Sequence, residues 1–415
     1  MDKRRHSTET RNAAAQAEQV RESQATEGTR SESRRQRILL AVTGLSPQIV
    51  TETLYALTQQ QDTPWVPDAI HLITTEEGAQ RARLALFEDG KDWFGRLCED
   101  YQLPSIEFST DTLHIVHDAQ GRPLDDIRSP QDNEQVADFI CETVRALTED
   151  EHTELHVSIA GGRKTMGYYL GYALSLFGRA QDRLSHVLVS EPFESSWDFF
   201  YPTPYSEVIE TRDKSLADTR DAVVTLADIP FVRLRDELPE HLRLQQGKAS
   251  FSETVAAAQK AWQPPHLVID LKARHVTASD EVIPMEPAEL AFYAMMARAR
   301  IKSLHPQRHD SDGLAPRYLQ EYARIVGKDS GDYERVEKAL DSDDIKEWFE
   351  QRKSKTNKAI RNALGRRLAQ QYEIRPSGKR PKTRFGLQHI PVEAIEFTES
   401  GKLVVEDTVL PIAVN

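Results

Sequence analysis

The sequence predicts an α/β protein: a mostly parallel sheet covered by helices, followed by a smaller α+β unit. Three observations carry this. Up to Val189, short apolar runs of buried-strand type alternate with segments of helical spacing, the pattern of a parallel sheet covered on both faces. Gln263-Pro264-Pro265 then interrupts the chain, because a proline pair stops regular structure. After that break the sequence turns helix-rich and, near its end, strongly basic.

The elements follow in order. The first 36 residues hold eight basic and six acidic side chains and almost no large apolar ones, so they cannot bury a core and read as a disordered tail. Ile38–Val42 is a strand, ended by Thr43-Gly44-Leu45-Ser46-Pro47, and Ile49–Leu57 has helical spacing. Ala69–Thr74 is a second strand and Glu76–Cys98 one helix with Leu84, Phe87 and Phe94 on a side. Ser105–Phe108 and Leu113–Val116 read as short strands, and Glu134–Leu147 as a helix. Leu155–Ile159 is a buried strand running into Ala160-Gly161-Gly162-Arg163-Lys164-Thr165, then a helix from Met166 to Phe177 and a strand at Leu184–Val189. Residues 205–262 are mixed and polar, with helical stretches. Beyond the prolines, Leu267–Leu271 and His275–Ile283 resemble a hairpin. Helices follow at Pro287–Ile301, Tyr318–Val326, Tyr333–Leu340 and Ser354–Gln371, and Tyr372–Leu387 reads as strand, basic turn, strand. The predicted organisation is a tail (1–36), an α/β unit (37–235), a helical connection (236–265), a basic α+β unit (266–395) and a C-terminal tail (396–415).

Composition excludes several classes. The 415 residues sum to −13, so contact with nucleic acid needs a local basic patch. The densest apolar stretch, Tyr168–Gly178, is far shorter than the roughly 20 residues of a spanning helix, so no membrane is expected. The two cysteines, Cys98 and Cys141, form no CxxC pair, and no HExxH occurs. A disulfide scaffold and a cysteine-based zinc site are thereby excluded, no metal or cofactor is expected, and the cysteine use suits the cytoplasm.

In an open parallel sheet, ligands bind beyond the carboxyl ends of the strands. Two turns there have suitable chemistry. In the first, Thr43, Gly44, Ser46 and Gln48 offer a tight bend, a hydroxyl at a helix start and further polar groups; Ser46 before Pro47 also fits a plain helix cap. In the second, Gly161 and Gly162 let backbone N–H groups approach a ligand, a helix N-terminus favours an anion, and Arg163, Lys164 and Thr165 add charge and a donor. This describes a phosphate cradle without the spacing of a Walker A loop. His156 and His186 lie inside strand runs and fit satisfied strand histidines better than general bases. Trp197, Phe199 and Tyr201 follow the last strand and suit core packing better than base stacking.

These residues resemble the CARF domain of CRISPR-associated ring nucleases and related Csm-type proteins. The resemblance runs from Ile38 to about Leu234. It rests on Ala41–Gln48, His156–Met166, Ser185–Val189, Phe199-Phe200-Tyr201-Pro202 and Ile229–Leu234 in combination. It implies a Rossmann-like domain that dimerises and binds cyclic oligoadenylate, usually the tetra-adenylate, across the two-fold axis. In ring nucleases the same pocket cuts the ring; the family's pocket serine matches Ser46 and its pocket lysine Lys164. Cutting and mere binding use the same cradle and stay open here.

From Arg352 to Arg384 there are twelve basic residues and one acid, Glu373. A helix carrying Lys355, Lys358 and Arg361, then a hairpin with Lys379 and Arg380 at its tip, resembles a winged helix. That resemblance implies DNA or another polyanion as partner. Arg300 and His305 also fit the Arg-x4-His spacing of HEPN ribonucleases, with Ile301 where that family carries a polar residue; chance produces such spacings readily.

Overall fold

A computed structural model describes residues 34–411, apart from 89, 195, 245–248, 261–262, 305, 307–310, 341–344, 379–382, 400–401 and 406–407. The tail 1–33, His305, Lys379 and Arg380 therefore lie outside the described residues.

The first unit is built on strands β1 (Gln36–Val42), β2 (Ala69–Thr74), β3 (Leu113–Ile115), β4 (Thr153–Ser158) and β5 (Arg183–Val189). Its helices are α1 (Gln48–Gln59), α2 (Glu76–Leu86), α3 (Trp93–Asp100), α4 (Pro130–Leu147) and α5 (Lys164–Phe177). Between β5 and the next helices come β6 (Val208–Glu210), β7 (Leu216–Asp218) and β8 (Val224–Asp228). The sheet order is β3-β2-β1-β4-β5-β8. The first five strands are parallel and β8 closes the edge antiparallel to β5.

This order explains why β1 is apolar throughout. Leu39 and Ala41 join one core with Ile70, Leu72 and the α1 residues Val50 and Leu54. Ile38, Leu40 and Val42 belong to the other core, together with Ile140 of α4 and Leu170 and Leu174 of α5. A strand buried on both faces reads as a continuous apolar run rather than an alternation. The start of β4 is fixed by a buried ion pair: Arg179 contacts Asp182 at 2.8 Å, and Asp182 also accepts from the Leu155 amide at 3.0 Å.

Three expectations need correction here. The helix read over Glu76–Cys98 is two helices, because the chain turns between Leu86 and Trp93 through a left-handed Asp92 whose side chain accepts from Gly95 N. Ser105–Phe108 forms only one isolated bridge, Glu107 to Ala69. The polar 205–262 stretch contains β8, whose partly exposed edge position leaves no apolar run to recognise. In the connection to the second unit, α6 (Glu240–Arg243) and α7 (Phe251–Gln259) follow, and Phe251, Val255 and Ala258 pack on the α4/α5 core.

The second unit has β9 (Leu267–Asp270), β10 (His275–Ala278), β11 (Glu281–Pro284), α8 (Pro287–Ile301), α9 (Ser311–Val326), α10 (Gly331–Leu340), α11 (Ile345–Tyr372), the paired strands β12 (Arg375–Ser377) and β13 (Arg384–Gly386), and β14 (Ile395–Glu399), β15 (Lys402–Val405) and β16 (Thr408–Pro411). The sheet order β11-β10-β9-β14-β15-β16 is antiparallel except where β14 runs parallel to β9. The stretch from 396, read as a tail, thus extends this sheet. Leu290 to Ala297 of α8 are all buried, so this helix is the unit's centre, enclosed by β9–β11, α9 and α11. The helix read over Ser354–Gln371 begins earlier, at Ile345, and is broken at Gly365 (φ 73°, ψ 168°). A Cβ there would lie 2.2 Å from the Glu237 carbonyl oxygen, so glycine lets α11 touch the segment that leads out of the first unit.

Candidate functional site

The strand order places the site. Strands β2 and β3 lie to one side of β1, and β4 and β5 to the other. The order therefore reverses between β1 and β4, the position where doubly wound sheets open a crevice at their carboxyl ends. The two glycine turns singled out in the sequence follow these two strands. They meet: a Cβ on Gly44 would sit 3.7 Å from Gly162 Cα. Gly161 lies so close to the end of β1 that a Cβ would be 2.5 Å from the Val42 carbonyl oxygen, and Gly162 has φ 76°. Both glycines are thus required by the approach of the turns before any ligand is considered.

The helices that begin here differ from their neighbours. Thr75, Asp92, Ser129 and Ser250 cap α2, α3, α4 and α7 through their side chains. At the crevice, α1 and α5 start at Pro47 and Arg163, and neither receives a side-chain cap. Their first N–H groups remain available to acceptors from outside the helix. The cap reading of Ser46 is corrected accordingly: Pro47 holds the cap position, and Ser46 is exposed, with its carbonyl accepting from Thr43 Oγ1 at 2.9 Å. Thr43 is fully buried, and its own carbonyl accepts from Thr74 Oγ1 at 2.9 Å, which ties the turn to β2.

Two cavities flank the meeting point and share no lining residue. One, of about 510 Å³, is lined by Ser46, Gln48, Glu52, His186, Trp197 and Arg212, among others. The other, of about 600 Å³, is lined by Gly44, Gly162, Arg163, Lys164, Thr165 and Asp126, together with Glu77. The sequence-predicted set is therefore gathered at one end of the sheet, with Ser46 and Gln48 in one compartment and the cationic turn in the next.

The charges at this end are arranged unequally. Arg163 grips Asp126 through two hydrogen bonds, Nε to Oδ1 at 3.0 Å and Nη2 to Oδ2, and that grip holds the Asp126 carboxyl below its ordinary range. Lys164 and Thr165 are exposed, and no carboxylate pairs with Lys164 among the described residues. In the first cavity, burial and the neighbouring Glu194 push Glu52 up from 4.5 to about 8. Glu52 is then protonated at neutral pH, presenting an O–H donor rather than a charge that would repel an anion. Gln48 donates from Nε2 to the Trp197 carbonyl at 3.1 Å, while its buried Oε1 has no partner among the described residues.

Sequence reasoning missed Glu52, Glu194, Arg212 and Asp126. Glu52 had a signal, since it stands four residues after Gln48 and so shares its helix face. The others come from irregular segments and had none. Of the two strand histidines, His156 is 1% exposed, bonded through Nε2 to Ser185 Oγ at 2.7 Å, and lowered by burial to about 3. It is a neutral packing residue, whereas His186 lines the first cavity. Phe199 and Tyr201 are buried in the core, but Trp197 is 61% exposed at that cavity.

The basic segment of the second unit is less free than its sequence suggests. Arg352 pairs with Glu289 at 2.7 Å, Lys353 with Glu350, Arg361 and Arg375 with Glu373 at 3.2 and 2.9 Å, and Arg366 with Asp236 at 3.8 Å. Lys355 and Lys358 are exposed. Arg300 donates Nε to the Ile390 carbonyl at 3.2 Å.

A family model described as CRISPR-associated protein NE0113 matches residues 46–264, more than half of the chain and the whole crevice region beyond Leu45. No curated protein matches. Among solved structures, Enterococcus italicus Csm6 bound to cyclic hexa-2'-fluoro-hexa-dAMP is 15% identical, with a TM-score of 0.23; the match covers 76% of this chain and 56% of that one. This chain thus spans little more than half of that protein's length. Among the described residues, no helix is long and apolar enough to cross a membrane.

Proposed function

The chain belongs to the CRISPR-associated protein NE0113 family, and from that premise we propose that it binds cyclic tetra-adenylate between the crevices of two copies and cuts the ring. The observation that carries this reading is the convergence of two glycine turns on two helix N-termini without side-chain caps, beside a lysine that no carboxylate pairs among the described residues. Backbone N–H groups, Arg163, Thr165 and Lys164 are acceptor-seeking groups around one end of the sheet, the chemistry that phosphates satisfy. The motif resemblance in Ala41–Gln48 and His156–Met166 supplies the identity of the ligand.

Cleavage needs little beyond positioning, because the substrate brings its own nucleophile. The ribose 2′-oxygen attacks the adjacent phosphorus, the P–O5′ bond breaks, and the 2′ proton is lost as O5′ gains one. Two such cuts convert the ring to linear di-adenylates ending in 2′,3′-cyclic phosphate. In-line alignment and preorganised donors lower such barriers by several kcal/mol. Lys164 stabilises the charge that develops on the phosphorane or leaving oxygen, and Ser46 orients the ribose or phosphate. The Gly161-Gly162 backbone, Arg163 and Thr165 hold neighbouring phosphates, with Thr43, Gly44 and Gln48 shaping the other wall.

The test is product analysis of the purified protein with cyclic tetra-adenylate and EDTA. Linear di-adenylate is expected; intact ligand after long incubation with excess protein removes the cutting step, and absence of binding by calorimetry removes the reading altogether. A second reading, in which the ligand-bound protein also holds DNA, is favoured by the exposed, same-face Lys355 and Lys358. Replacing both with Gln lowers the salt slope of DNA binding by about 2 in that case; an unchanged slope removes it.

A further inference from the structure

A third cavity, of about 610 Å³, lies at the seam where the break in α11 meets the segment leaving the first unit. Four arginines line it: Arg243 from α6, Arg361 and Arg366 from α11, and Arg375 from β12. Among the described residues that line it, the carboxylates are Asp236 and Glu373. Glu373 is shared by Arg361 and Arg375, and Asp236 reaches Arg366 at 3.8 Å. The lining therefore keeps an excess of two positive charges.

The hydrogen-bond inventory points the same way. The Nε groups of Arg243 and Arg375 are buried and have no acceptor among the described residues. Guanidinium donors that are withdrawn from water and left unpaired are costly. Two of them on one cavity, contributed by different units, are both satisfied by an anion with several acceptor oxygens. Apart from Leu238 and Gly365 the lining is polar, and it contains no aromatic ring. It offers nothing on which a base would stack, so it is built to hold phosphate rather than to read a base.

We propose that this seam is a second anion site, which takes a phosphate group of a nucleotide or nucleic-acid strand and clamps α6 to α11 around it. The site is independent of the crevice at the carboxyl ends of the sheet, and its existence does not depend on ring cutting. Two sources share this chemistry, the backbone of a single strand and a free nucleotide.

The experiment separates them in a phosphate-free buffer. Fluorescence polarisation with a labelled single-stranded RNA dodecamer forms one arm, and calorimetric titration with ADP the other. Each is run on the full chain, on Arg243→Gln/Arg366→Gln, and on Lys328→Gln, an exposed lysine outside the cavity. In the arm that reports the true source, the double variant raises Kd about tenfold or more, and Lys328→Gln leaves it unchanged. If the double variant loses its thermal transition, Arg366→Glu decides alone: Arg366 is 71% exposed, and reversing its charge weakens binding at least about fivefold. No binding in either arm, or binding with the same Kd in all folded variants, overturns the proposal.

Discussion

The two cationic regions of this protein look alike in sequence and differ in space. The turn Gly161–Thr165 holds two cations, and the segment Arg352–Arg384 holds twelve. Yet the segment has recruited Glu289, Glu350, Glu373 and Asp236, so that much of its charge already has a partner. The short turn ties Arg163 to Asp126 and leaves Lys164 exposed beside a helix N-terminus without a side-chain cap. What matters for an incoming anion is the number of cations without partners and the field around them, not the count along the chain.

Single lysines separate the two regions most clearly. Lys164→Ala is expected to slow ring cleavage by about 10²–10³-fold, whereas Lys353→Ala, which removes an already paired charge, leaves the rate unchanged; chromatography of the adenylate products measures both. Equal losses would erase the distinction. Next in size is Glu373→Gln, which unties Arg361 and Arg375 in one step. It is expected to destabilise the second unit by about 2 kcal/mol and to make the protein elute from a heparin column at higher salt, read by urea unfolding and by the elution profile. The last effect, spread over several pH units and small at any one step, tests neutralisation by burial instead of pairing. The Glu52 carboxyl titrates at about 8 in the folded protein against 4.5 ordinarily, so between those pH values the native state holds a proton that the unfolded chain has lost. Stability then falls as pH rises through that window, by at most about 1.4 kcal/mol per pH unit, and levels off above it. Glu52→Gln flattens the fall in a pH series of thermal melts; an unchanged slope shows that Glu52 ionises freely.

The legible parts of the fold were those fixed by local physics. β1 shows as an apolar run because both faces are covered, and the two turns show because close backbone approach demands Gly161 and Gly162. The proximity of the turns also followed once β1 and β4 were neighbours. Two strands were lost for different reasons, β8 because it lies partly exposed at a sheet edge and β14 because its pairing partner β9 lies more than a hundred residues away. Partners were lost for that second reason. Glu289 neutralises Arg352 across 63 positions, and nothing local to either residue announces it. Within the crevice, Glu52 was in view on the Gln48 face, but its altered titration comes first from burial and then from Glu194, and both are set by segments distant in sequence.

Gly365 gives the connection between the halves an unusual vulnerability. The segment leaving the first unit presents a main-chain carbonyl at this point and the second unit presents bare backbone, so the fit depends on the lack of a Cβ. No rotamer search can accommodate even the smallest side chain, since the clash would begin at Cβ. Evolutionary drift can exchange the charges around the seam one at a time, but this position tolerates no gradual change: a methyl group would act as a wedge between the two halves.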